Sequence, residues 1–118
     1  PGLEPAHGLV LEAAGPDAEL HGTPSQVEWA ERIRRDVYAE FDRVAASFRS
    51  VATSQPQKKR EETEAVISIL EDKRIEVMAM RHAGYFKSWQ EITDQVRQMI
   101  FRDARYQAIK SARRTGRL

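Results

Sequence analysis

Seven apolar side chains, Ala30, Ile33, Val37, Phe41, Val44, Phe48 and Val51, recur at steps of three or four residues. That spacing keeps them on one side of an α-helix and is incompatible with the two-residue repeat of a strand. The stripe fixes the fold class as all-α. Its start is marked as well. Thr23 can accept a hydrogen bond from an otherwise orphaned backbone N–H, Pro24 suits the first helical position, and Gln26 stands where a capping box closes. The pattern predicts a first helix over 24–53, stopped before Pro56. Glu28–Arg32, Glu31–Arg35 and Arg32–Asp36 have the i,i+4 spacing of helix-surface ion pairs.

Two further helices are expected. The second runs over 57–83, with an apolar face of Val66, Ile67, Leu70, Val77, Met78 and Met80 and with Gly84 as a left-handed cap. Its first turn holds Lys58, Lys59 and Arg60, which oppose the helix dipole, so fraying toward Glu61 is expected. The third runs over 88–112, with Ser88 and Glu91 as a capping box and with Trp89, Ile92, Val96, Met99, Ile100 and Tyr106 inward. The expected architecture is an elongated three-helix bundle, up-down-up, at 23–118. Ahead of it, 1–22 reads as an irregular acidic arm broken by Gly and Pro, within which Gly8–Ala13 could be extended. Helices of this length leave apolar surface open in a monomer, so a homodimer is plausible.

The stretch Glu19–Arg34, ELHGTPSQVEWAERIR, resembles an opening that recurs in small helical proteins of bacteria, phages and other mobile elements. Those read E-L-x-G-S/T-x-K/R-Q-x-x-W-A-E-x-I-R. Leu20, Gly22, Thr23, Gln26, Trp29, Ala30, Glu31, Ile33 and Arg34 match, and Ser25 stands where a Lys is more usual. The resemblance covers 16 of 118 residues, and the group has no assigned activity. It implies a mobile-element setting and not a mechanism; the leading expectation for the role is a small accessory or regulatory protein that binds a protein partner, such as an inhibitor.

The chemistry the residues permit is narrow. The chain has no cysteine, which removes disulfides, thiolate metal sites and cysteine nucleophiles. His7, His21 and His82 lie far apart in sequence, with no partner at metal-ligand spacing. No phosphate-binding glycine loop or nucleophile elbow occurs, so the expectation is a non-enzymatic binding protein without metal or cofactor, with an enzyme lacking any recognisable motif as the last alternative. No apolar run reaches the roughly 18–20 residues of a membrane span, and no secretory pattern opens the chain; a cytoplasmic protein that does not enter membranes is expected. The chain opens on Pro1 rather than Met, as a trimmed piece would.

Two binding surfaces compete. Trp29, Arg32 and Asp36, with Arg34 at the stripe edge, would form a surface for a protein partner, since Trp and Arg dominate hot spots. The alternative is nucleic acid. Residues 1–22 carry four acids and no Lys or Arg, whereas 88–118 carry seven cations against three acids. Arg102, Arg105, Lys110, Arg113, Arg114 and Arg117 could meet phosphates, with Phe101 and Tyr106 among them.

Overall fold

The computed structural model describes residues 18–115 and is all-helical there apart from one isolated backbone bridge. The first helix, α1, spans Pro24–Ala52. Its start is as the sequence predicts. The Thr23 hydroxyl accepts from the Gln26 N–H at 3.3 Å, and the Gln26 side chain accepts from the Thr23 N–H at 3.0 Å. The turn after α1 is closed by Ser54 and Gln55 N–H groups donating to the Val51 and Ala52 carbonyls.

Helix α2, Gln57–Met78, begins at its basic turn rather than nearer Glu61. It returns antiparallel to α1: Thr63 donates to Gln55, Arg49 approaches Glu71, and Arg74 lies over the Tyr38 ring. It stops five residues short of the expected end at 83. The Arg81 carbonyl accepts from His21, and the Ala83 N–H donates to the His21 carbonyl, so both groups serve a bridge to the segment before α1 instead of a helix.

The expected three rods are not what forms, because the third starts late, at Ile92, and is broken at Asp103. Ala83–Ser88 is a 3₁₀ segment that buries Ala83 and Phe86. Gly84 lies inside it with no positive φ, so the left-handed cap is not used. Trp89 is buried edge-on to Phe41 at 6.4 Å between ring centroids. The Ser88–Glu91 capping box does not form. Gln95 instead accepts from the Glu91 N–H and donates to the Ser88 carbonyl. Helix α3, Ile92–Arg102, follows, then an extended Asp103, then α4, Ala104–Thr115. The core joins Ala30, Val37, Phe41 and Ala45 of α1 to Val66, Leu70, Val77 and Met78 of α2, Phe86, Trp89, and Val96 and Ile100 of α3. Residues 1–17 of the expected arm, with the Gly8–Ala13 stretch, and 116–118 lie outside the described residues.

Candidate interaction surface

The buried line of α1 is Ala30, Arg34, Val37, Phe41, Ala45 and Ala52. The sequence stripe is therefore rotated toward one flank: Ile33, Val44 and Phe48 are only partly buried, and Val51 is 49% exposed. Arg34 is the correction that follows. It is 0% exposed and belongs to the interior, on the other side of the helix from Trp29, Arg32 and Asp36, so the four do not form one patch. Arg32 and Asp36 are exposed and Trp29 is half-buried. The helix-surface ion pairs also differ from expectation. Glu28–Arg32 and Arg32–Asp36 do not come within 4.0 Å, whereas Glu40–Arg43, Glu71–Arg74 and Lys73–Glu76, three apart, do.

Along the flank of α1 runs a seam against the 3₁₀ segment and α3. At its upstream end Trp29, Ser25, Gln26 and Lys87 line a shallow 230 Å³ hollow. Downstream, Val44 and Phe48 of α1 face Ile100 and Phe101 of α3 across a 210 Å³ cleft. Phe101 is 39% exposed and stacks, tilted, against Tyr106. The cleft rim is polar. Glu40 accepts from Arg43 at 2.9 and 2.5 Å. The Arg43 guanidinium above all, then Thr93 and Arg97, holds the Glu40 carboxyl below the usual carboxylate range, against the desolvation that raises it. Lys87, Thr93 and the exposure of Phe101 were not legible in the sequence. The signal available was the drift of Val44, Phe48 and Val51 away from the Val37–Phe41–Ala45 line.

The basic C-terminal region is largely answered from within. Arg105 donates to Asp72 at 2.6 Å and to Asp103 at 3.0 Å, Lys73 reaches Asp103 at 3.2 Å, and Arg113 meets Glu62 at 2.9 Å. Lys110 lies over the Tyr106 ring, and Arg102 and Arg114 are exposed. Arg117 lies outside the described residues. The α4 cations therefore do not stand as one free basic face.

Two other hollows use their polar groups locally. In the 610 Å³ one at the α1–α2 turn, Arg60 donates to the Gln55 carbonyl and Arg49 approaches Glu71. In the 370 Å³ one beside α3, the Ser88 hydroxyl donates to the Tyr85 carbonyl and Gln95 is held as above. Among the described residues no group of three or more His, Asp or Glu converges as a metal centre, and no helix is long and apolar enough to cross a membrane. No family model, curated protein or solved structure matches this chain.

Proposed function

We propose that this chain is a non-enzymatic helical binding protein that takes a protein partner along the seam between α1 and α3. The observation that carries this is the run of incompletely covered apolar side chains on one flank: Trp29, Ile33, Val44, Phe48 and Val51 of α1 with Phe101 of α3. From Trp29 to Val51 the seam is about 33 Å long at 1.5 Å per residue, enough for a partner helix of several turns. Trp29 and Phe101 would be the anchors, because large aromatics bury the most area for the least lost freedom. The mobile-element setting rests on the Glu19–Arg34 resemblance; the accessory role follows from reading the chain as a binding protein. The nucleic-acid alternative has less support, since Arg105 and Arg113 already hold carboxylates.

Photo-cross-linking tests the seam. A photoreactive phenylalanine analogue is placed at Val51, at Phe101 or at exposed Ala39 on the opposite face of α1. The expected result is one discrete adduct from both seam positions and none from Ala39. An adduct of twice the chain mass would make a second copy the partner. Equal adducts from all three positions, or none from the seam, would overturn the reading.

A further inference from the structure

Two histidines that are 61 positions apart in the chain (82 − 21) meet in the fold. His21 and His82 face each other across a parallel bridge, with the His21 N–H donating to the Arg81 carbonyl at 2.6 Å and the Ala83 N–H donating to the His21 carbonyl at 2.9 Å. Side chains paired this way leave neighbouring backbones on the same side, about 4.8 Å apart. Their rings lie 6.4 Å apart between centroids and are inclined by 55°. Both residues are exposed, and among the described residues neither imidazole has a hydrogen-bond or ion-pair partner.

The backbone beneath them is fixed. Leu20 and Ala83, the neighbours of the two histidines, are both in the core. Gly22 approaches so closely that a Cβ there would stand 3.1 Å from the Ala83 Cβ. Two imidazoles on a rigid base with open nitrogens are a chelate. A zinc–nitrogen bond is about 2.1 Å, and a tetrahedral ion holds two ring centroids roughly 5 Å apart; the two rings, 6.4 Å apart on exposed side chains, reach that spacing by a small rotation about their side-chain bonds.

We propose that His21 and His82 bind one divalent transition-metal ion, each through a ring nitrogen, with water filling its other positions. Imidazole suits Zn²⁺, Ni²⁺ and Cu²⁺, whereas Mg²⁺ and Ca²⁺ require oxygen donors. The ion would staple the segment before α1 to the connection after α2. Because the pair is assembled only by folding, binding would stabilise the folded chain.

The experiment is calorimetric titration of the chain with Zn²⁺ and with Ni²⁺ at roughly pH 7.5, above the ordinary imidazole range. It is run beside His21→Gln, His82→Gln and His7→Gln. One ion per chain is expected, with affinity about a hundredfold lower in His21→Gln and in His82→Gln, because each loses the intramolecular second ligand. His7→Gln is expected to bind as the parent does. Zn²⁺ should raise the melting temperature of the parent and Mg²⁺ should not. Imidazole NMR signals of His21 and His82 shifting together in the parent would give the same answer without a substitution. No binding, unchanged binding in both His21→Gln and His82→Gln, or loss confined to His7→Gln would overturn the proposal.

Discussion

At Gly22 a single hydrogen in place of a methyl group decides how the chain enters α1. Its φ is +156°, a region that side-chain-bearing residues rarely adopt, and the space where a Cβ would go is taken by Ala83 and by the capping Gln26. Gly22→Ala should cost about 1–3 kcal/mol through strain and crowding. Gly84→Ala is the matched control. Nothing lies within 4 Å of a Cβ there and φ is not positive, so it should be neutral or gain about 0.4–1 kcal/mol. Urea unfolding of the two variants checks both values. At this scale the Glu19–Arg34 stretch becomes intelligible as architecture. Leu20 enters the core, Gly22 permits close approach, Thr23 and Gln26 cap α1, and Ala30 and Arg34 lie in its buried line. The capping chemistry was legible because it is local. The burial of Arg34 was not, because a wheel drawn on the apolar residues alone centres the stripe one flank away from the true core line.

Among the elements, α1 and the start of α2 follow from periodicity and caps, and the third leg does not. Contacts distant in sequence decide both departures: His21 takes the backbone of Arg81 and Ala83 and so ends α2 early, and Lys73 and Arg105 meet at Asp103, where the third leg breaks. Asp103 is both hinge and cap. Its carboxylate accepts from the Arg105 N–H at 2.8 Å, satisfying a donor at the start of α4, where a negative charge also suits the helix dipole. Bonding to Arg105 first, against some desolvation, then to Lys73, holds its carboxyl far below the usual carboxylate range. A depressed folded-state value means that the stabilisation is complete above the unfolded value, roughly pH 4, and fades as pH falls below it. Asp103→Asn should therefore destabilise the chain at neutral pH, and the gap between parent and variant should narrow on acidification below about pH 4. Chemical denaturation of both proteins across that range reads it. A gap that does not change with pH would assign the effect to packing rather than to charge.

The described part of the molecule is drawn out, with a Cα radius of gyration of 16.9 Å where a compact domain of this size has about 13 Å. Thin bodies answer charge by contact between neighbouring elements, and here the acids of α2 lie against the cations of α4. Helix α4 contributes no buried side chain from 104–114, so ion pairs and the partly buried Tyr106 and Ile109 hold it in place. Surface pairs of this kind are each worth about 0–1 kcal/mol, but they also remove cations from the pool that could meet phosphate. Of the six basic residues that favoured nucleic acid, Arg105 and Arg113 are occupied, which leaves Arg102, Lys110, Arg114 and Arg117. Each phosphate contact contributes about −0.9 to the slope of log affinity against log salt, so four give about −4 and six give about −5. Fluorescence anisotropy of a labelled duplex across a salt series should then show weak binding with a slope no steeper than about −4. Glu62→Gln with Asp72→Asn should steepen it by about 1, because Arg113 loses its carboxylate while Arg105 is still held by Asp103. A slope of about −5 or steeper in the parent would mean that α4 exchanges the carboxylates of α2 for phosphates, and would move the functional surface from the seam to the basic helix.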